Sequence, residues 1–261
     1  MKICTVVTHD DYYYRSMVSS CEKLGLELKV LGWGEKWKDF YWRFNLMREY
    51  LKTLDPNEIV IFIDAFDVIP LTSEKDIMEK FLSFNSPIVI SSEERFSNYM
   101  IDFGYKDIFS KFKDGYCNCG CYMGYVKNLL EMYDVMDKYR NNCNDDQVVM
   151  SRSSKDPFIM KNVSLDKNNN LFLTLRTNEK IIYRGIMSSD NKYYKFVDGK
   201  IQWKIKKPAF VHGPGSVNLN HFVNDNNLIK PIREPNGSEV YRRFNQYLGN
   251  TKTIKYLFLK F

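Results

Sequence analysis

Histidine is scarce in this chain, and long apolar runs are missing. Only His9, His212 and His221 occur among the 261 residues. No apolar run reaches the roughly 20 residues of a transmembrane helix, so we predict no membrane span. The apolar run Lys2–Val7 is too short for a secretory signal and is followed by polar residues. It therefore predicts a first β-strand and a cytoplasmic location.

Disulfides are a second expected absence. The chain has six cysteines, but without a secretory signal we expect free thiols. Cys117, Cys119 and Cys121 lack the two-residue spacer common in zinc sites, which makes structural zinc the weaker alternative. If this segment is a β-strand, the three thiols would lie on one face.

A strong charge of one sign is also absent. Lys and Arg total 38 and Asp and Glu total 32, a formal net charge of +6. This mild excess can attract a phosphorylated ligand, but the basic residues are scattered over segments of different kinds. We therefore predict no nucleic-acid partner and keep a basic nucleic-acid-binding protein as an alternative.

Strand and helix patterns alternate through the first part of the chain. Strands are predicted at Lys2–Thr8, at Leu26–Leu31 and from Ile59, and helices at Tyr13–Leu24 and from Phe40 to Leu54. This alternation predicts an α/β fold whose parallel sheet is linked by right-handed crossovers.

The rest of the chain continues this pattern less regularly. The further predicted elements are helices at Ser73–Phe84, at Lys127–Tyr139, from Val148 and at Ser238–Leu248, strands at Pro87–Ser91, within Gly115–Gly124, at Leu171–Leu175, at Ile181–Tyr183 and at Pro208–His212, and a hairpin at Tyr193–Lys204 around Asp198-Gly199.

The segment Ile59–Pro70 carries the most informative pattern. Its apolar run predicts a strand buried on both faces, and Asp64 and Asp67 follow that run. Carboxylates set among large apolar residues must be paired, hydrogen-bonded or bound to a cation. Two interpretations weigh equally here: a divalent-metal site that holds nucleotide phosphates, and a turn with one capping and one solvated aspartate.

His212 ends another apolar strand, at the same presumed ligand edge of the sheet. A lone histidine is more often structural than a ligand. Two carboxylates and one imidazole nevertheless form a suitable ligand set for Mn²⁺, with open positions left for a diphosphate. Gly213 and Gly215 would let the backbone approach phosphate closely.

Asp145 and Asp146 begin a predicted helix. One interpretation is an N-cap that complements the helix dipole. The other is a carboxylate near the reacting sugar carbon, where positive charge develops. Arg43 lies on the helix before the central strand, where it faces either phosphate or solvent.

Seven segments follow one another in an informative order. They are Val7-Thr8, Leu31–Trp37, Phe62–Val68, Ser92-Glu93, Asn118–Gly120, Asp145–Gln147 and Val211–Gly215. In this order the chain resembles the glucosyltransferase domain of multifunctional procollagen lysyl hydroxylases and the stand-alone collagen-type glycosyltransferases of giant viruses. The resemblance spans Lys2 to Asp225.

This resemblance implies a GT-A glycosyltransferase fold, with a Rossmann-like, mostly parallel sheet and helices on both faces. We expect residues 1–225 to form that domain and 226–261 to form a helical, basic extension packed on it. The implied activity is Mn²⁺-dependent, retaining transfer of glucose from UDP-glucose to galactosyl-hydroxylysine of collagen or a collagen-like protein. A homodimer is one expected assembly, and a viral protein would reside in the host cytoplasm.

The same resemblance assigns roles to individual residues. It makes Asp64, Asp67 and His212 the metal ligands and Asp145 and Asp146 the catalytic residues. The implied donor-binding residues are Thr8, Trp33, Arg43, Asp64, Glu93, Asn118, Gly120, Gly213 and Gly215.

Three departures from the family pattern bear on the acceptor. The acidic run is reduced to Asp145-Asp146, Ser97 replaces a tryptophan associated with the acceptor, and Pro214 replaces an asparagine. Because the metal motif is intact, we still expect activity. The alternatives are a hydroxylysine galactosyltransferase that uses UDP-galactose and a catalytically silent UDP-sugar-binding domain.

Overall fold

A six-stranded mixed sheet forms the centre of the fold in the computed structural model, which describes residues 1–93, 112–175, 192–214 and 217–234. The strands of the described chain are β1 Lys2–Val6, β2 Leu28–Leu31, β3 Ile59–Ile63, β4 Val68–Pro70, β5 Ile88–Ser92, β6 Cys117–Tyr125, β7 Val163–Asp166, β8 Phe172–Thr174, β9 Tyr194–Val197, β10 Lys200–Trp203 and β11 Phe210–His212. The central order is β2-β1-β3-β6-β5-β7, and β6 alone runs antiparallel to its neighbours in this sheet. The prediction of a mostly parallel α/β sheet is confirmed.

Helices cover both faces of this sheet, as predicted. They are α1 Tyr14–Leu24, α2 Phe40–Leu51, α3 Glu74–Leu82, α4 Val126–Lys138, α5 Asp146–Arg152, α6 Pro157–Asn162 and α7 Asn220–Asp225. Successive side chains of β3 point to opposite faces of the sheet. Ile61 packs in the same cluster as Met17 of α1, and Phe62 packs in the same cluster as Phe44 of α2. Within the described ranges, no helix combines the length and the apolar character needed to cross a bilayer.

A second, three-stranded sheet adjoins the first where the chain leaves β3. It has the order β4-β11-β8, and β11 pairs antiparallel with β4 and parallel with β8. The turn from β3 to β4 contains Asp64 and Asp67, and His212 of β11 pairs with Val68, the first residue of β4. This pairing brings a histidine about 145 residues distant in sequence beside the two aspartates.

The prediction that three thiols share one face of a strand is wrong. Cys117 and Cys119 pack on the α2 side of the sheet, whereas Cys121 packs on the α1 side. The cause is an irregularity in β6, whose pairing with β5 shifts register between Ile90 and Ser91. A bulge of this kind interrupts the alternation of side chains along a strand. All six cysteines are free thiols, as expected.

Most predicted elements are present with boundaries shifted by a few residues. The hairpin around Asp198-Gly199 is confirmed as β9 and β10. The elements β4, β7, α6 and α7 were not predicted, because with three to six residues each they are too short to show a period. The predicted strand Ile181–Tyr183 and helix Ser238–Leu248, together with Ser97 and Gly215, lie outside the described residues.

Candidate metal centre and active site

Asp64, Asp67 and His212 form a cluster of potential metal ligands at the junction of the two sheets. One donor atom from each side chain lies within 4.8 Å of the others. The Nε2 atom of His212 is 3.4 Å from Oδ1 of Asp67 and 3.8 Å from Oδ2 of Asp64. The backbone holds the turn in place, since Asp64 N–H donates to the Gly120 carbonyl at 2.8 Å and Gly213 N–H donates to the Asp67 carbonyl at 2.8 Å.

The donor set fits a divalent cation. His212 is 1% exposed, and neither of its ring nitrogens has a hydrogen-bond partner. A buried polar atom without a partner is costly, and a cation bound to the imidazole would relieve that cost. Two carboxylates and one imidazole are ligands that divalent first-row metals accept. Within the described residues, this is the one cluster of three or more such side chains with a suitable geometry.

Burial and neighbouring charges shift the pKa values in this cluster. Burial raises the pKa of Asp64 to about 6, and the nearby charge of Asp67 adds to this rise, while the Arg43 guanidinium opposes it. Burial alone would lower the pKa of His212, but Cys121 and Asp67 raise it, and the net shift is upward. Without a cation, these groups therefore compete for protons, as the ligands of a metal site do.

Gly120 provides the space in which the cluster is assembled. A Cβ atom at this position would lie 2.3 Å from Cε1 of His212, 2.6 Å from Oδ2 of Asp64 and 2.9 Å from Oδ1 of Asn118. Such distances are far below van der Waals contact. The arrangement of His212 and Asp64 therefore requires a glycine at this position.

Arg43 lies behind the cluster and joins two of the predicted aspartates. Its Nε donates to Oδ2 of Asp146 at 2.7 Å, its Nη2 donates to the same oxygen, and its Nη1 donates to Oδ1 of Asp64. The residue is 6% exposed, which excludes the interpretation that it extends into solvent. The ring of Phe62 lies 5.1 Å beneath the guanidinium.

Asp145 and Asp146 have different surroundings at the N-terminus of α5. Asp145 is the N-cap, and its Oδ1 accepts the N–H of Val148 at 3.1 Å, so the structural interpretation is confirmed for this residue. Asp146 is 4% exposed and paired with Arg43. Burial raises the pKa of Asp146, and the guanidinium opposes that shift.

A polar network continues from the cluster to β5. Nδ2 of Asn118 donates to Oε2 of Glu93 at 3.1 Å, and Oδ1 of Asn118 accepts the N–H of Gly120 at 2.8 Å. Gln147 joins them: its Nε2 donates to the Cys117 carbonyl at 2.8 Å, and its Oε1 accepts the N–H of Cys119 at 3.1 Å. The sequence prediction omitted Gln147 as a site residue, although it directly follows the two aspartates.

The remaining predicted residues lie just beyond the ends of β1, β2 and β11. The Thr8 carbonyl accepts the N–H of Gly34 at 2.9 Å, which fixes the loop containing Trp33. Trp33 is 55% exposed and contacts Tyr14, with ring centroids 5.4 Å apart. A Cβ on Gly213 would lie 2.9 Å from Leu219, so packing alone already requires this glycine.

Comparison with known proteins places this arrangement in a family. The PLOD GT domain family matches residues 1–230. The chain is 25% identical to procollagen-lysine,2-oxoglutarate 5-dioxygenase of Drosophila melanogaster, with 86% of this chain and 32% of that protein covered. It is 23% identical to the multifunctional procollagen lysine hydroxylase and glycosyltransferase LH3 of Rattus norvegicus, with 83% and 30% covered.

A viral relative and a solved structure extend the comparison. Protein R699 of Acanthamoeba polyphaga mimivirus is 24% identical over 90% of this chain and 55% of its own length. The chain thus spans about a third of the two animal proteins and about half of the viral one. Among solved structures, the galactosyltransferase LgtC with donor and acceptor sugar analogues is similar at 14% identity and a TM-score of 0.47, covering 97% of this chain and 96% of LgtC. The extent of the family match shows that the chain belongs to the PLOD GT domains, a family of glycosyltransferase domains.

Proposed function

We propose that this glycosyltransferase domain transfers glucose from UDP-glucose to galactosyl-hydroxylysine of collagen or a collagen-like protein, with retention at the anomeric carbon and with Mn²⁺ as cofactor. The observation that carries the proposal is the Asp64, Asp67 and His212 cluster, with its partnerless buried imidazole, in a chain of this family. LH3, whose name includes both lysine hydroxylase and glycosyltransferase, supports a collagen-type acceptor.

Asp64, Asp67 and His212 would hold the cation, which when bound supplies positive charge against the diphosphate of the leaving UDP. Glu93, Asn118 and Gly120 continue from this cluster along β5 and β6, and we assign them to the sugar side of the donor. Thr8 and Trp33 belong to the loops at the other end of the cluster, and we assign them to the nucleoside, for which the exposed indole offers a stacking surface.

Asp146 has two properties that suit the transfer step. It is buried beside Arg43, and in a water-poor site a fixed carboxylate stabilises developing positive charge better than in water. Asp145, the N-cap of the same helix, fixes the direction of the first turn and thereby the position of Asp146. We assign Asp146 to oxocarbenium stabilisation and Asp145 to its support.

Two alternatives concern the donor and the activity. A hydroxylysine galactosyltransferase with UDP-galactose would use the same cluster, since a cation held there would supply charge to the diphosphate, which both donors share. A silent UDP-sugar-binding domain would bind the nucleotide without transfer. The intact metal-ligand set argues against silence, because a site that only bound weakly would not need the buried His212.

One experiment separates these possibilities. We would measure UDP release from a panel of UDP-sugars with and without a galactosylated hydroxylysine peptide, in Mn²⁺ and in chelator. Mn²⁺-dependent release that the peptide stimulates, with UDP-glucose preferred, is the expected result. Preference for UDP-galactose on an unglycosylated hydroxylysine peptide would support the first alternative, and binding without release would support the second.

Asp64→Ala tests the metal assignment in the same assay. We expect at least a 100-fold loss of Mn²⁺-dependent turnover in a folded protein, because one of three ligands and the partner of Arg43 are lost together. Undiminished turnover in this variant would refute the metal centre. Asp134→Asn, a surface carboxylate that is 72% exposed, serves as the control.

A further inference from the structure

We propose that Arg43 is a positioning residue that orients Asp64, so that one carboxylate oxygen faces the metal centre and the other is held away from it. This inference rests on the metal centre of the proposed function. It differs from the sequence-based expectation that Arg43 contacts the diphosphate, because it assigns the guanidinium to the protein's own carboxylates.

The two oxygens of Asp64 have different neighbours. Oδ1 accepts a hydrogen bond from Nη1 of Arg43. Oδ2 is the oxygen 3.8 Å from Nε2 of His212, and it is the one that a Cβ on Gly120 would meet. Asp64 therefore presents Oδ2 to the cluster, and it would hold a cation through that oxygen.

Arg43 is itself held by a second carboxylate. Asp146 accepts from both Nε and Nη2 through Oδ2, and its Oδ1 accepts the N–H of Gln147 at 2.8 Å. The carbonyl of Cys119 lies 3.5 Å from Nη2. All three guanidinium nitrogens thus have protein acceptors, and each oxygen of Asp146 accepts at least one hydrogen bond.

This chain of contacts has a chemical consequence. A guanidinium is planar and presents its N–H groups in a rigid fork, so it can fix two carboxylates at once, which a lysine ammonium cannot do with the same geometry. Aromatic rings enclose the group, with Phe62 at 5.1 Å, Phe40 at 5.7 Å and Phe44 at 6.0 Å. Asp146 supplies the countercharge that holds the Arg43 guanidinium in place. Arg43 in turn fixes the orientation of the Asp64 carboxylate, so that Oδ2 faces the proposed cation site.

The test is a Mn²⁺ titration followed by the electron paramagnetic resonance of free Mn²⁺, without donor or turnover. The informative pair is Asp146→Asn and the double variant Arg43→Gln with Asp146→Asn. The single variant keeps the guanidinium on Asp64, and we expect Mn²⁺ affinity within about threefold of the parent. The double variant removes the charge pair as a neutral unit, and we expect Mn²⁺ affinity to fall about 10- to 100-fold, as for other residues that support metal ligands.

Two further variants keep the outcome decisive. Arg43→Lys retains the charge but not the fork, and we expect at least a tenfold loss of affinity, so it replaces the double variant if that protein does not fold. Arg48→Gln removes another arginine of α2, which pairs with Asp137 at 2.6 Å, and it should bind Mn²⁺ like the parent.

The outcomes distinguish this inference from the proposed function. Parental Mn²⁺ affinity in a folded double variant, or in Arg43→Lys, would overturn the role of Arg43 and leave the metal centre intact. Absence of Mn²⁺ binding in the parent protein would overturn both. An equal loss in the Asp146→Asn and double variants would show that Asp146, and not the guanidinium, controls the site.

Discussion

At the scale of single residues, the proposed metal centre depends on the absence of a side chain at Gly120. Gly120 leaves room for His212 and Asp64, and any Cβ would lie within 2.6 Å of both. Neither neighbour is free to move, because His212 is fixed in β11 and Asp64 is bound to Arg43. A small substitution should therefore affect the function more than the fold.

Gly120→Ala is the first prediction at this scale. Overpacking of a tight interior typically costs about 1–3 kcal/mol, and here the displaced atoms belong to the proposed metal ligands Asp64 and His212. We expect a loss of Mn²⁺ affinity of at least tenfold, measured by titration, together with a loss of stability in that range, measured by urea unfolding.

Gly124→Ala is the matched control in the same strand. A Cβ there would lie 2.8 Å from the Pro87 carbonyl and 3.2 Å from Leu129, away from the cluster. It should lower stability by a comparable amount and leave Mn²⁺ affinity unchanged. If both variants lost Mn²⁺ affinity equally, general destabilisation would explain the loss. The inference that Gly120 provides space for His212 and Asp64 would then be wrong.

At the scale of elements, helix α2 positions part of the candidate site, because it carries Arg43, which contacts Asp64 and Asp146. Its N-cap is Asp39, whose carboxylate accepts the N–H of Trp42 at 2.6 Å. A cap of this kind satisfies one of the free N–H groups in the first turn. The side chain that contacts Asp64 and Asp146 follows directly after this turn.

Asp39→Ala should therefore have two effects. Loss of an N-cap costs about 1 kcal/mol of stability, measured by urea unfolding. Fraying of the first turn would also loosen Arg43, and we expect Mn²⁺ affinity to fall about two- to fivefold. Asp39→Asn should preserve both properties, because asparagine caps equally well.

Ser73→Ala provides the comparison on a helix away from the site. Ser73 is the N-cap of α3, and its hydroxyl accepts the N–H of Asp76 at 3.5 Å. This variant should lose some stability and keep the parental Mn²⁺ affinity. A parental affinity in Asp39→Ala as well would show that the first turn of α2 does not control Arg43.

At the scale of the whole molecule, the site lies where two sheets meet, and buried polar residues join them. Asp166 at the end of β7 is 0% exposed and accepts backbone N–H groups from Asn170, Leu171 and Phe172 at 2.9, 2.7 and 2.8 Å. Burial raises the pKa of Asp166, and these three donors oppose the shift. The carboxylate shapes the connection from the central sheet to β8.

Asp166→Asn is the corresponding prediction. The amide places an NH₂ group among N–H donors and removes a charged acceptor. Because hydrogen bonds to charged groups contribute about 1.5–3 kcal/mol each and a buried donor without partner is costly, we expect a loss of at least about 2 kcal/mol. Urea unfolding measures this loss of stability. The control Asp134→Asn, at an exposed position, should have a free energy of unfolding within about 0.5 kcal/mol of the parent. An equally small effect for Asp166→Asn would contradict its role at the junction.

A second link between distant parts of the chain depends on pH. Arg233 donates to both oxygens of Asp11 at 2.7 and 2.6 Å, and its guanidinium covers the ring of Tyr12 at 4.4 Å. Burial alone would raise the pKa of Asp11, but these hydrogen bonds and the Tyr12 N–H lower it overall. A carboxyl with a lowered folded-state pKa stabilises the fold above its unfolded-state pKa of about 3.9, and that stabilisation is lost as the pH falls through the folded-state pKa.

Asp11→Asn should therefore be less stable than the parent at pH 7, and the difference in stability should shrink as the pH falls below about 3.9. Since half of the Arg233 side chain is exposed, we expect a difference of no more than about 1 kcal/mol at pH 7. Unfolding in urea at pH 7 and at pH 3 measures both values. A difference that persisted unchanged at pH 3 would show that the ion pair is not its source.

The sequence by itself determined most of the longer strands and helices and the three metal-ligand candidates. Both follow from local information: apolar periodicity predicts which segments are buried, and parallel strands present their carboxyl ends at one sheet edge. Asp64 and His212 each stand at the end of a buried strand and were therefore predicted at one ligand edge, but the structure brings them together across two sheets, through the antiparallel pairing of β11 with β4.

Only the tertiary structure decided which side chains pair across that edge. Arg43 and Asp146 are separated by 103 positions, and no local pattern distinguishes an arginine buried between two carboxylates from one in solvent. The faces of Cys119 and Cys121 were likewise decided by the register shift in β6, which depends on pairing with β5. Such features arise from non-local contacts and packing volume, and the space at Gly120 exists only because three separate segments meet there.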